Sequence, residues 1–353
     1  MAMNLSEIVI DGDTPGAVWR FPVFRFKGSA SGAPSVYIQA ALHAGELPGT
    51  ALLHILLQKL VEAETQGLIR GDITIVPHAN PIGLSQQHFG EIQGRFDLGS
   101  RTNFNREFPL ISLSNRENLL DGLESQNAVD QLKRQLLHMA LGADLMLDLH
   151  CDDESLQYAY IDPVFWPEAA DLAEAMAMDA VFLSDGESTA FEEAVGHAFK
   201  ATSPAAETLP GRLAVTVELR GLADVGVETA RRDADGLYRF LVMRGVLAGE
   251  AGVRHGFTGA VSTLDQVEVI RAPEAGAVFF HRTIGDRVKA GDLLATVITR
   301  PGLAEGDQPI HAPQDGLIVT RASRRYVRRN GNLMKIACTN PSARTRPPGT
   351  LED

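Results

Sequence analysis

The chain has 353 residues, 44% hydrophobic and 22% charged, a composition that suits a globular protein with one large domain and a small one. A net charge of −13 argues against non-specific binding to nucleic acid or to an anionic membrane, and no apolar run approaches the ~18 residues of a transmembrane helix. Two cysteines, Cys151 and Cys338, exclude a disulfide framework and point to a reducing, cytoplasmic compartment, and the acidic start carries no sign of a signal peptide.

Residues 17–27 partly alternate apolar and polar side chains and predict a half-exposed strand near a sheet edge. The apolar run 35–42 (SVYIQAAL) predicts a buried strand. A helix follows over 50–64, with Pro48 near its favoured first turn and Leu52, Leu53, Ile55, Leu56, Leu60 and Val61 forming an apolar face. The β-branched run 72–77 predicts a short strand that leads to Asn80-Pro81. From Gly83 to about Asn115 the pattern is irregular, and long loops of this kind are often functional. Residues 124–141 read as an amphipathic helix, 144–149 (DLMLDL) as a buried strand ending at His150, and 156–161 as a strand. An alanine-rich helix is predicted over 167–180, with a strand beginning at 180–183; residues 184–209 show no clear period. The run 213–219 (LAVTVEL) is a strand with Glu218 at its end, and 226–248 a helix.

This alternation predicts an α/β sandwich around a largely buried sheet, a catalytic domain over residues 1–252. The character changes afterwards. Within a second domain over 253–340, residues 267–340 form short β-branched runs between glycines and prolines, with a forty-residue internal repeat: Ala272-Pro273, Gly276, Gly291 and Leu293 recur as Ala312-Pro313, Gly316, Gly331 and Leu333. The expectation is a small all-β barrel-sandwich domain of two similar halves, followed by a flexible tail over 341–353.

His43, Asn80, His150 and Glu218 each fall at or just beyond the end of a predicted strand, so one edge of the sheet carries a site. Zinc in catalytic sites takes three protein ligands and leaves a fourth position to water. His43 and Glu46 would supply two ligands from one turn and His150 the third; otherwise they are a surface histidine, a helix-start glutamate and a strand-end residue. Asp148 shares the strand face of His150 and is a candidate acceptor for a ligand imidazole N–H. Glu218 is the candidate general base, with a salt bridge to Arg220 as its alternative use. In the loop, Asn105-Arg106 offers a fork suited to a substrate carboxylate, Arg95 or Arg101 could polarise a carbonyl, and Arg101 is otherwise a candidate substrate-binding residue.

Together HAGE (43–46), ANP (79–81), GRF (94–96), NFNREFP (103–109), DLH (148–150) and VEL (217–219) resemble, in order, the motifs of the succinylglutamate desuccinylase/aspartoacylase family, which has a zinc carboxypeptidase-like fold. The resemblance implies an α/β/α sandwich with a mixed sheet, one zinc ion per chain on His43, Glu46 and His150, Glu218 as catalytic acid/base and Asn105-Arg106 as the carboxylate binder. It favours Arg95, in its Gly-Arg-Phe setting, over Arg101 as the carbonyl-polarising group. The expected activity is hydrolysis of a small N-acyl amino acid, with no nucleic-acid or membrane partner and with homo-oligomerisation open. The alternatives are a metallocarboxypeptidase acting on peptides and a non-catalytic binding protein on the same fold. The C-terminal repeat also resembles biotinyl and lipoyl carrier barrels, but the linker 299–310 has no lysine to modify, which argues against carrier function.

Overall fold

The computed structural model describes residues 3–186, 188–344 and 351. Its larger part is built on one nine-stranded mixed sheet. The strands are β1 (Asn4–Asp11), β2 (Val18–Phe26), β3 (Val36–Ala40), β4 (Ile73–Val76), β5 (Leu145–Asp152), β6 (Gln157–Ile161), β7 (Ala180–Leu183), β8 (Leu213–Gly221) and β9 (Ala260–Thr263). Their spatial order is β1-β2-β4-β3-β5-β8-β6-β7-β9. The central strands β4, β3, β5 and β8 run parallel, and β6 enters antiparallel beside β8. Strands of this parallel core are buried on both faces, which explains their nearly unbroken apolar sequences.

Helices cover both faces. On one side α1 (Pro48–Thr65) and α5 (Val227–Met243) pack together, with α3 (Ala170–Ala175) against α5; on the other, α2 (Ala128–Ala140) contacts α4 (Phe191–Lys200). The result is the expected α/β/α sandwich around one continuous apolar core. Three features depart from the sequence reading. The first strand, β1, is an edge strand with few buried residues and lacks a strong apolar signal. Helix α4 lies inside the stretch without a clear period. Strand β9 pairs in parallel with β7, so the main sheet continues past residue 252, where the change in composition had placed the domain boundary. That strand is short and mostly not buried, so no apolar run announces it.

The C-terminal part forms two facing antiparallel sheets. One has the order 267–271, 332–338, 316–321, 287–288; the other has 307–311, 293–298, 276–280, 326–327. The forty-residue repeat is visible as symmetry: each strand of the first half maps onto a strand of the second half in the opposite sheet. Each half therefore gives two strands to each sheet. The sequence linking the halves closes as a turn in which Thr299 N–H donates to the Gly306 carbonyl.

This small domain is joined tightly to the large one. Glu154–Ser155, just after β5, pairs with Thr320 and Arg321. Tyr158, Ala180 and Phe182 of the main sheet pack with Val267, Leu317, Val319 and Ala337 in a shared apolar cluster. Of the predicted tail, residues 345–350, 352 and 353 lie outside the described residues; Ser342 Oγ donates to Glu268 at 2.8 Å, and Leu351 is buried in the shared cluster. No described helix is long and apolar enough to cross a membrane.

Candidate metal centre and catalytic cleft

The site begins where β3 ends. Ala41 adopts a left-handed conformation with φ of 59° and turns the chain out of the strand. His43 and Glu46 then face each other across a tight turn, in which Glu46 N–H donates to the His43 carbonyl at 2.9 Å, and Pro48 starts α1. Two further segments hold this turn. Asn80 donates through Nδ2 to the Leu42 carbonyl and accepts the Gly83 N–H through Oδ1, each at 2.8 Å. Gly94 accepts the Ala44 N–H at 3.0 Å, and a Cβ at Gly94 would lie 2.6 Å from that of Ala44, so this approach requires glycine.

His150, near the end of β5, completes the cluster. One ligand atom from each of His43, Glu46 and His150 lies within 4.8 Å of the others, and all three residues are buried. Glu46 sits between the imidazoles: Oε1 is 2.9 Å from His43 Nδ1, and Oε2 is 2.7 Å from His150 Nδ1. The far nitrogens are anchored. His43 Nε2 is 2.9 Å from Asn103 Oδ1, and His150 Nε2 is 2.9 Å from Asp148 Oδ2. Asn103 and Asp148 are acceptors at the two Nε2 atoms and so favour hydrogens there, which would leave the Nδ1 atoms facing Glu46 as the ones to ligate a metal once it displaces their protons. Asp148 is held in turn by Gln39 Nε2 at 3.0 Å, and Gln39 by the Tyr37 hydroxyl at 2.8 Å.

The electrostatics fit a cation. Burial alone would raise the pKa of Glu46, but the two imidazoles outweigh it and hold the carboxyl low. His43 is lowered, chiefly by burial, and so favours its neutral, ligating form. For His150 burial works downward, yet Asp148 and Glu46 together raise it well above the usual value in the metal-free protein. The neighbouring Cys151 thiol is pushed up by burial and then by nearby carboxylates, which keeps it protonated and unsuited to ligation. Two imidazoles and one carboxylate, buried and mutually in reach, suit one metal ion.

Glu218 lies beside His150 in the register of β8 and β5. Its Oε2 is buried without a hydrogen-bond partner, and burial raises its pKa to about 8, with His150 opposing. Arg220, which could have paired with it, instead contacts Asp233 and donates to Gln157 Oε1 at 2.8 Å. The two candidate loop arginines separate clearly. Arg95 Nη1 is 3.5 Å from both Glu46 Oε1 and His43 Nδ1, and Arg95 lines the cleft. Arg101 is exposed on a turn with φ of 65°, closed by its N–H to the Asp97 carbonyl at 2.7 Å, and does not line the cleft. The structure thus leaves Arg101 outside the place expected of a substrate-binding residue, because the local turn carries it away. Arg106 lines the cleft and donates to the Asn105 carbonyl at 2.7 Å. Asn105 Oδ1 accepts the Phe191 N–H at 2.8 Å, so the amide expected to read substrate already ties the loop to the start of α4.

The cleft measures about 660 Å³. The small domain contributes to its lining through Arg321, Arg324 and Lys335, a wall not assigned to particular residues by sequence reasoning. Lys335 Nζ is 2.8 Å from Asp152 Oδ2, which also accepts the Tyr158 hydroxyl at 2.9 Å. Asn103 was likewise not assigned as the anchor of His43, although its place in NFNREFP was the available signal.

The catalytic-domain model of the succinylglutamate desuccinylase/aspartoacylase family matches residues 32–244. A family protein from Shewanella amazonensis shares 25% identity, with a TM-score of 0.82 over 95% of this chain and 98% of that one. A second, from Shewanella frigidimarina, also shares 25% identity at a TM-score of 0.82, over 96% and 99%. The product-bound ectoine utilization protein EutE (DoeB) from Ruegeria pomeroyi has the same fold, with 19% identity and a TM-score of 0.72 over 96% and 95%. The search of curated proteins gave no match. With more than half of its length matched by the family model and the metal cluster inside that span, the chain belongs to the succinylglutamate desuccinylase/aspartoacylase family of metal-dependent hydrolases.

Proposed function

We propose that the protein hydrolyses the amide bond of a small N-acyl amino acid, with one zinc ion on His43, Glu46 and His150. The observation that carries this reading is the partnerless Glu218 oxygen, on the strand position paired with His150 and inside the same cleft. When bound, zinc acts as a Lewis acid that acidifies water and polarises a carbonyl. Glu218 takes the proton of the attacking water at its carboxylate and returns it to the leaving nitrogen. Its raised pKa favours holding that proton between the two transfers, and a nearby dication pulls the value down toward ionisation. Arg95, beside Glu46, steadies the negative charge that develops on the carbonyl oxygen. Arg106 binds the carboxylate of the amino acid, and Asn105 positions the loop that carries it.

The cleft volume and the wall supplied by the small domain favour an amino-acid-sized substrate over a polypeptide. The test is a screen of N-acetyl, N-formyl and N-succinyl amino acids with the zinc-loaded protein. Hydrolysis is expected for at least one class, and Glu218→Gln should lower kcat by at least about a hundredfold. Metal content of that variant should stay unchanged. Full turnover in it would remove Glu218 from the mechanism.

A further inference from the structure

Arg106 stands in an arch of chain that is fastened at both ends. On the metal side Asn103 Oδ1 holds His43 Nε2 at 2.9 Å, and Phe104 N–H donates to the Arg95 carbonyl at 3.1 Å. On the far side the arch meets residues 188–191, where the chain enters α4. Glu107 N–H donates to Thr189 Oγ1 at 2.9 Å, and Phe108 N–H donates to the Thr189 carbonyl at 3.0 Å. The Phe191 N–H adds its bond to Asn105 Oδ1. Aromatic rings close the same seam: Phe108 lies 5.0 Å from Phe191, and Lys133 Nζ is 5.8 Å from the centre of the Phe108 ring. Thr189 thus accepts the amides of the two residues that directly follow Arg106.

The conformation of Thr189 is unusual. Its φ is 54°, and Glu107, across the seam, has φ of 59°. A β-branched residue is crowded in this region, whereas glycine enters it freely. Strain of this kind persists where the surroundings enforce it, and it gathers at functional sites. The ordinary duties at this position fall to its neighbours. Glu193 secures the start of α4, its Oε2 accepting from Ser188 Oγ at 2.9 Å and from Ala190 N–H at 3.2 Å. Ala190 and Phe191 fill the core, while Thr189 is only half-buried. What glycine could not supply is the hydroxyl. Thr189 Oγ1 donates to the Ser188 carbonyl at 2.7 Å, which leaves its lone pairs for the Glu107 N–H. Ser188 and Ala190 line the cleft, and Thr189 between them does not. It reaches a substrate only through the loop it holds.

We infer that Thr189 is a positioning residue: its strained backbone and its hydroxyl clamp the loop so that Arg106 meets the substrate carboxylate in one fixed place. This rests on the deacylase reading, in which Arg106 binds that carboxylate, and it adds the group that sets the binder's position. A bond that orders the loop before substrate arrives lowers the entropy lost on binding. Its removal therefore weakens ground state and transition state alike, and the loss appears in KM.

The experiment compares Thr189→Ser, Thr189→Ala and Thr189→Gly in the zinc-loaded protein, with the best substrate from the screen of N-acyl amino acids. Thr189→Ala and Thr189→Gly should raise KM by about three- to tenfold with kcat within about twofold of wild type. Thr189→Ser keeps the hydroxyl and should retain the wild-type KM. Glycine relieves the strain, so Thr189→Gly should melt no lower than wild type although it binds substrate more weakly. A residue that merely supports the fold would lose stability and activity together, and that result overturns the proposal. So does an unchanged KM in Thr189→Ala, or a Thr189→Ser variant as impaired as Thr189→Ala. Arg106→Ala separates the two readings. If it leaves KM unchanged, the assignment of the carboxylate to Arg106 fails and the proposal fails with it; if it raises KM and Thr189→Ala does not, only the proposal fails. Amide hydrogen exchange at Glu107 and Phe108 reads the clamp without turnover, and it should quicken in Thr189→Ala and stay slow in Thr189→Ser. Should no N-acyl amino acid be cleaved, the deacylase reading fails, and the clamp stands or falls on that exchange alone.

Discussion

At the scale of single residues the metal centre depends on groups that never touch the metal. Asp148 fixes the orientation of His150 and is itself fixed by Gln39 and Tyr37. Asp148→Asn should weaken metal binding by about ten- to a hundredfold, read by competition with a chelator. An unchanged affinity would mean that strand geometry alone orients the imidazole. The same residue sets the pH response. In the metal-free protein Asp148 and Glu46 keep His150 protonated above its usual range, so a metal must displace that proton. Apparent metal affinity should therefore fall as pH falls below the raised pKa, by up to about tenfold per pH unit. The matching signature is proton release on metal addition, measured in two buffers of different ionisation enthalpy.

At the scale of elements, the loop after β4 works because glycine lets it pass under the HAGE turn. Gly94→Ala forces a Cβ to 2.6 Å from that of Ala44 and to 2.9 Å from Gly45 N, where only backbone movement relieves the clash. The expected cost is about 1–3 kcal/mol of stability. Arg95 follows directly in the chain, so activity should fall more than stability alone accounts for, measured by urea melts beside turnover. How much of these elements could be read from sequence follows from their packing. Strands β3, β5 and β8 are buried on both faces, and their unbroken apolar runs bring His43, His150 and Glu218 to one edge on paper. Strand β1 and strand β9 are mostly unburied and leave no such run. The loop carrying Arg95 is held by side-chain contacts, for example Gln86 Nε2 donating to the Gln93 and Phe96 carbonyls at 2.8 Å. Contacts of this kind have no period, so spacing alone left Arg95 and Arg101 equivalent.

At the scale of the whole molecule, the small domain completes the cleft. Besides the strand pairing and the shared apolar cluster, one ion pair secures it there, Lys335 with Asp152, both largely buried. Burial raises the Asp152 carboxyl, and Lys335 outweighs that and holds it low. A depressed carboxylate pKa contributes stability above the unfolded value near 4, and that contribution is lost as pH falls through the folded value. Lys335→Met strands a buried carboxylate, so it should cost about 3–5 kcal/mol near neutral pH, and less as Asp152 becomes protonated in acid. Denaturant melts at several pH values check this, and a loss independent of pH would indicate packing instead. The same contact joins residues 183 positions apart. The two small sheets interleave strands from both halves of the repeat, so neither half can close without the other. On a ribosome, His43, Glu46 and His150 all emerge before any part of that domain exists. A nascent chain can thus assemble its metal ligands while its substrate chamber still lacks a wall, and selectivity is the last property the growing protein acquires.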